Sequence, residues 1–92
     1  LRVKHRAERA AAKAYYQYGA ALSKKKQYAQ AVQQYEKTIA LYPKAAYSRS
    51  ALSNAISLYA GVLKKPQKVL DLRRTYLKYF PHSESAPSYS RS

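Results

Sequence analysis

The chain has 92 residues, of which 18 are lysine or arginine and 4 are acidic, so its formal net charge is +14. That length allows one small domain, and the absence of cysteine excludes a disulfide framework, a thiolate nucleophile and a cysteine-based metal site. A small soluble domain usually carries a net charge of magnitude about 2 to 8. The excess positive charge predicts an acidic partner, which is a protein face, a nucleic-acid backbone or an anionic membrane surface.

Residues 1 to 23 are predicted to form one long basic helix, because alanine and arginine favour helices and proline is absent there. Residues 1–11 are expected to extend beyond the rest of the fold. Basic side chains recur at three- and four-residue steps and form a basic stripe, namely Arg2, Arg6, Arg9 and Lys13. An apolar stripe is predicted beside it from Ala7, Ala10, Ala11, Ala14, Tyr15, Tyr18 and Leu22. A solvated face and an anion-binding face both remain open for the basic stripe.

A second helix is predicted from Tyr28 to Leu41, ended by Pro43. Its buried stripe is Ala31, Val32, Tyr35, Ile39 and Tyr42. Two helices approach closely only where their side chains are small, so Gly19 and Ala31 are expected at the crossing of the first two helices. Residues 12–45 therefore form a first predicted hairpin.

A third helix is predicted over 47–63, with a core of Ala51, Leu52, Ala55, Leu58, Tyr59 and Val62. The fourth begins at Pro66, which suits the first turn of a helix, and runs to Tyr79. It is expected to bury Val69, Leu72, Tyr76 and either Leu77 or Phe80. Residues 46–83 are thus a second hairpin, and 84–92 are an irregular tail of Ser, Pro and Tyr. The predicted fold class is all-α, with two stacked antiparallel helical hairpins.

Aromatic and small residues lead to a closing proline in the first hairpin, in the order Tyr15, Gly19, Tyr28, Ala31, Tyr35 and Pro43. This order resembles one tetratricopeptide repeat (TPR), a helical hairpin of about 34 residues. The second unit is longer and closes with Phe80, Pro81, His82 and Ser83. In that style it is similar to bacterial envelope TPR proteins, namely the Tol-Pal-associated coordinator and the outer-membrane assembly lipoprotein. The resemblance implies a protein-binding scaffold of stacked hairpins, with no cofactor.

Successive TPR hairpins line a concave face with their first helices, and the resemblance implies a peptide-binding face here. Its residues are Tyr16, Ala20, Arg49, Ser53 and Asn54. Some TPR domains hold a peptide carboxylate with Lys and Asn side chains on this face. Of the corresponding residues here, Tyr16, Ala20 and Asn54, only Asn54 matches, so that ligand is rejected.

Basic residues cluster at the turn inside each predicted hairpin. Stacked hairpins place equivalent turns along one edge, so these clusters and the basic residues of the fourth helix are expected to form one basic ridge. The ridge consists of Lys24, Lys25, Lys26, Lys64, Lys65, Lys68, Arg73 and Arg74. Lysine near a helix C-terminus also favours the helix dipole, which accounts for one or two of these residues.

The chain has eleven tyrosines, and most of them coincide with positions where a TPR has an aromatic. Five are expected in the core, each with its hydroxyl directed to water or a polar neighbour. These are Tyr15, Tyr28, Tyr35, Tyr59 and Tyr76. An exposed binding surface is instead expected for Tyr16, Tyr47 and Tyr79.

The acids are scattered over separate elements and the two histidines lie at opposite ends, so an enzyme is not expected. The leading interpretation is a non-enzymatic adaptor that joins protein subunits with acidic surfaces in a larger assembly. The alternative is an RNA-associated component of a ribonucleoprotein such as an organellar ribosome. Attachment to anionic lipid through the first helix is a third, weaker interpretation, and no membrane-spanning segment is expected. The bacterial envelope and an organelle matrix are the corresponding compartments.

Overall fold

A computed structural model describes the backbone of residues 2–84 and 86–90. It also describes the side chains of these residues, except those of 2–5, 88 and 90. The fold is all-helical, as predicted, and the described residues contain no strand. Four long helices are α1 (Arg2–Lys24), α2 (Tyr28–Leu41), α3 (Ala46–Gly61) and α4 (Pro66–Tyr79). A short fifth helix, α5 (Ala86–Ser90), follows.

Each helix contacts the next one along the chain, since α1 packs on α2, α2 on α3, α3 on α4, and α4 on α5. The first and third helices also touch each other. The Cα trace measures 39 × 31 × 18 Å, a flat body that is two helices thick. One side of this slab therefore brings α1 and α3 together.

The predicted core of α2, α3 and α4 is largely confirmed. Ala31, Val32, Tyr35, Ile39, Ala51, Leu52, Ala55, Tyr59, Val69, Leu72 and Tyr76 are all buried. The prediction for Val62 was wrong, since its side chain is 48% exposed, and Ile56 takes its place in the core at 6% exposure. The helix ends at Gly61, so Val62 lies just beyond the last turn that faces the core.

The apolar stripe of α1 is rotated relative to the prediction. Tyr18 is 55% exposed, and Ala7, Ala10 and Ala14 are exposed as well, whereas Ala12 is fully buried. Gly19 sets this rotation, because a Cβ at Gly19 would lie 2.8 Å from the Tyr35 ring and 3.3 Å from the Ala31 carbonyl oxygen. The predicted close crossing at Gly19 and Ala31 is thereby confirmed.

The two lysine-rich turns both contain a lysine with positive φ, at Lys26 (64°) and Lys64 (56°). After α1, the Gln27 amide donates to the Leu22 carbonyl at 2.9 Å and the Lys26 amide to the Ser23 carbonyl at 2.9 Å. This pair of bonds is a Schellman motif, which satisfies carbonyls at the helix end. Lysine stands where glycine usually provides the left-handed residue.

Two buried hydroxyls lie at the joint between α2 and α3, one bonded within α2 and the other bonded across the joint. Thr38 donates to the Gln34 carbonyl at 2.8 Å, and the Ser48 hydroxyl lies within hydrogen-bond distance of two carbonyls at the end of α2. These belong to Thr38, at 3.3 Å, and Tyr42. Because both hydroxyls are fully buried, they satisfy carbonyls that water cannot reach.

The prediction of an irregular tail was wrong for residues 86–90, which form α5. Ala86 is buried at 4% exposure, and Tyr89 packs against the main core. The Ser, Pro and Tyr composition of this segment predicts no helix by itself, so its order comes from contacts with α3 and α4. Residues 85, 91 and 92 of the predicted tail lie outside the described residues.

Candidate functional site

Four of the five residues predicted for the concave face line one open pocket of about 700 Å³, and these are Tyr16, Arg49, Ser53 and Asn54. Ser50, Tyr76 and residues 82–84 complete the lining. Ala20, the fifth, lines an adjoining pocket of about 300 Å³ that shares Asn54. The contact between α1 and α3 brings these residues together, and α4 with the chain beyond it supplies the far wall.

The centre of this pocket is a linked pair of side chains. The Asn54 side-chain amide donates to the Tyr16 hydroxyl at 3.1 Å. The Tyr16 ring lies between two others, with its centroid 5.8 Å from that of Tyr35 and 5.8 Å from that of Tyr47. Tyr16 and Tyr47, predicted as exposed, are therefore half-buried and held in place, and Tyr79 is half-buried too.

Electrostatically the pocket combines neutral hydrogen-bonding groups with the Arg49 guanidinium and the Glu84 carboxylate. Burial raises the pKa of Tyr35, whose ring lies behind Tyr16, above its ordinary value of 10.0. Hydrogen bonding of the Asn54 side chain to Tyr35 opposes this rise in pKa, and the nearby Tyr16 adds to the rise. The phenol and serine hydroxyls and the exposed Arg49 suit the backbone and side-chain oxygens of a peptide.

Sequence reasoning missed the far wall of the pocket. Tyr76 was assigned to the core, where it lies at 1% exposure, yet its hydroxyl reaches the Ser83 hydroxyl at 2.5 Å. His82 and Glu84 were also left out of the predicted site. No local pattern identifies these residues, because a chain turn after α4 brings them back toward α3.

The two turns that carry lysine clusters are neighbours, and their lysines are exposed, namely Lys24, Lys25, Lys26, Lys64 and Lys65. Lys26 and Tyr28, beside the first turn, line a pocket of about 400 Å³ together with Leu63 from the second turn. Lys64, Lys65 and Arg73 line another pocket of about 420 Å³, over Tyr59 and Val69. Arg74 is exposed on α4.

Lys68 does not behave as a free member of the ridge. Its ammonium group lies 2.7 Å from a Glu36 carboxylate oxygen and 5.5 Å from the centre of the Tyr59 ring. The Tyr59 hydroxyl donates to the other Glu36 oxygen. Burial, together with this hydrogen bond and the charge of Glu36, raises the pKa of Tyr59. Lys68 therefore belongs to a polar link between α2, α3 and α4.

Arg73 is the other ridge residue with an unusual environment. Its Nε is buried and has no hydrogen-bond acceptor among the residues that the structure describes. A buried donor without a partner costs about 1 to 3 kcal/mol. On α4, Lys68 is engaged in an ion pair and part of the Arg73 guanidinium is buried. The cationic face of this helix is therefore less uniform than the sequence suggests.

The N-terminal basic stripe is exposed at Arg6, Arg9 and Lys13, and the side chain of Arg2 lies outside the described residues. Arg9 and Glu8 line a pocket of about 550 Å³ with residues 41–46, at the turn between α2 and α3. At Glu8 and Arg9, α1 therefore lies beside that turn.

Within the described residues, no cluster of His, Asp or Glu side chains could hold a metal ion. Nor is any helix in that part of the chain long and apolar enough to cross a membrane. Comparison of the chain with family models, curated proteins and solved structures gives no match. The resemblance to TPR proteins rests on the residue pattern given above.

Proposed function

We propose that the chain is a non-enzymatic, TPR-like adaptor that binds a partner peptide on its concave face within a larger assembly. In this proposal α1 with α2 and α3 with α4 are two stacked antiparallel hairpins. The 700 Å³ pocket carries the proposal, because its polar groups come from α1, α3 and the end of α4 and converge on one open volume. A pocket of converging polar groups that is open to solvent suits an extended or helical peptide.

The basic ridge is proposed to face an acidic protein surface beside the peptide. Among the described residues the observed ion pair joins Lys68 to Glu36, which leaves the lysines of both turns without an acidic partner in that part of the chain. A cluster of exposed positive charges attracts an acidic partner and speeds its association. Lys24, Lys25, Lys26, Lys64 and Lys65 form this reduced ridge.

Binding of RNA is the second candidate, and the net charge of +14 favours it. Lysines and arginines that neutralise phosphates release counterions, so affinity for RNA falls steeply as salt rises. A peptide held by hydrogen bonds and by Arg49 depends less on salt. The two candidates therefore differ in their response to nuclease and to salt.

The test is affinity purification of the tagged full chain from its native source, with and without nuclease. The decisive variant is Arg49→Glu, which reverses the cation of the pocket. Its matched control is Lys44→Glu, an equal charge reversal at an exposed residue outside the 700 Å³ pocket. We expect nuclease-resistant protein partners to be lost from the Arg49 variant and retained by the Lys44 variant.

Three outcomes count against these proposals. Equal loss of partners from both variants assigns binding to overall charge and contradicts the peptide site. Loss of all partners with nuclease makes the ribonucleoprotein candidate the better one. Unchanged assembly after reversal of Lys24, Lys25, Lys26, Lys64 and Lys65 to Glu contradicts the ridge.

A further inference from the structure

The short helix α5 contacts the body of the protein through the side chains of Ala86 and Tyr89, among others. Ala86, at its first position, is buried at 4% exposure. Tyr89, three residues later, points the same way, because residues i and i+3 share a helix face. Its ring centroid lies 4.5 Å from that of Tyr76, and its hydroxyl donates to the Ser53 hydroxyl at 3.1 Å.

The surface that α5 covers overlaps the candidate peptide site. Ser53 and Tyr76, the two partners of Tyr89, also line the 700 Å³ pocket. The chain after α4 returns along the same wall, where the Tyr76 and Ser83 hydroxyls are 2.5 Å apart. A segment from this protein therefore already occupies one end of the surface that would hold a partner peptide.

Of the α5 side chains that the structure describes, Ala86 is buried, Tyr89 is half-buried and Pro87 is exposed. A helix of five residues has no stability of its own, because nucleation is unfavourable and isolated helices shorter than about 12 to 15 residues are marginal in water. Segments with few buried contacts open at low free-energy cost. A second segment of the same chemistry can therefore replace α5 on this surface.

We propose that the cleft between α3 and α4, at Ser53 and Tyr76, is a recognition site for a one-turn helical segment that carries alanine three residues before tyrosine. The chain's own Ala86 and Tyr89 fill this site in the free protein and compete with such a segment on a partner. This inference rests on the proposed peptide-binding function and specifies the chemistry of its ligand. The tyrosine supplies both a ring for Tyr76 and a hydroxyl for Ser53.

The test uses the full chain and a fluorescein-labelled synthetic peptide with the sequence of residues 82–92. The full-chain variant Tyr89→Ala leaves the cleft unoccupied by the tail. We expect the peptide to bind this variant more tightly than the unaltered chain, by about tenfold if the tail is seated about 90% of the time. A peptide with Tyr89→Phe should bind more weakly by about two- to tenfold, because it lacks one hydrogen bond.

A second measurement uses the unaltered chain and needs no variant to fold. In isotope-labelled full chain, ring contacts between Tyr89 and Tyr76 should be visible by nuclear magnetic resonance, and excess unlabelled peptide should abolish them. Contacts that persist under saturating peptide contradict competition. Equal peptide affinity for the two chains, or no binding to a Tyr89→Ala chain of unchanged helicity, overturns the proposed site.

These outcomes are separable from failure of the proposed function. If the peptide fails while native partners still depend on Arg49, the adaptor function stands and the Ala-and-Tyr ligand is wrong. If the peptide binds at Ser53 while the Arg49→Glu variant keeps every partner, the recognition site stands and the concave-face function is wrong.

Discussion

The two helix pairs of this chain, α1 with α2 and α3 with α4, are held by different physical means. In the pair α1 and α2, Gly19 lies so close to the Tyr35 ring that no Cβ fits without a shift. In the pair α3 and α4, by contrast, a Cβ added to Gly61 would lie more than 4 Å from any other packed part of the described chain. A polar link of Tyr59, Glu36 and Lys68 fastens that pair to α2 instead. The first pair therefore has a close helix crossing, whereas the second pair adds to its buried core a polar link with α2.

The largest effect is expected from overpacking the first pair. Gly19→Leu forces a large side chain against a Tyr35 ring that is 2% exposed, and it should lower the free energy of unfolding by about 3 kcal/mol or more. Gly19→Ala should still destabilise, because the overlap outweighs the gain of about 1 kcal/mol in helix propensity. Urea-induced unfolding followed by circular dichroism measures both changes.

Gly61→Ala is the matched control, since the same substitution meets open space. It should raise the free energy of unfolding by about 0.5 to 1 kcal/mol through helix propensity. Opposite signs for alanine at the two glycines would sharpen the contrast between the helix pairs. Equal effects would break it, and would also remove the basis for the close crossing.

An intermediate effect is expected in the second pair from Tyr59→Phe, which removes the hydroxyl bonded to Glu36. The loss of this hydrogen bond should cost about 1 kcal/mol at neutral pH. The variant should also change the dependence of stability on alkaline pH. Tyr59 has a raised pKa, so the folded chain holds its proton more tightly than the unfolded chain, where it titrates near 10.0.

The stabilisation from this raised pKa is therefore fully present below pH 10.0 and is lost as pH rises toward the folded pKa. The unaltered chain should lose stability more steeply above that pH than the Tyr59→Phe chain. Tyr18→Phe is the control, because Tyr18 is 55% exposed. Parallel pH profiles for all three chains, measured by urea unfolding, would show that the polar link does not operate as described.

The smallest effect concerns the turns that close the two pairs. Lys26→Gly removes the backbone strain of a lysine in the left-handed conformation, but glycine loses more conformational entropy on folding. The balance of these two effects should raise the free energy of unfolding by about 0.5 to 1 kcal/mol. Lys24→Gly, two residues earlier and inside α1, should destabilise it by a similar amount. Thermal unfolding distinguishes the two variants, and destabilisation by both would contradict the description of the turn.

Sequence reasoning succeeded where large side chains define one helix face. Val32, Tyr35 and Ile39 leave a single possible orientation for α2, and their burial follows from spacing. In α1, alanine occurs on several sides, so the spacing does not choose between orientations. The contact of Gly19 with Tyr35 makes that choice, and it depends on another helix.

The candidate site was predictable only in part, for the same reason. Tyr16, Arg49, Ser53 and Asn54 could be grouped because the resemblance to TPR hairpins assigns them to one face of the first and third helices. Tyr76, His82 and Glu84 join them through a turn whose path no local pattern determines. The spacing of Ala86 and Tyr89 was the one available signal for α5, and it acquires meaning only beside Ser53 and Tyr76.

The flatness of the molecule has a thermodynamic consequence. A Cα thickness of 18 Å leaves a single interface between two layers of helices, so each helix keeps one flank in water. Unfolding then exposes little new apolar surface, and its heat-capacity increment should fall below the value of about 1.2 kcal/mol/K usual for a globular chain of this size. Calorimetry should show a broad, shallow transition that sharpens when an anionic partner binds the folded form.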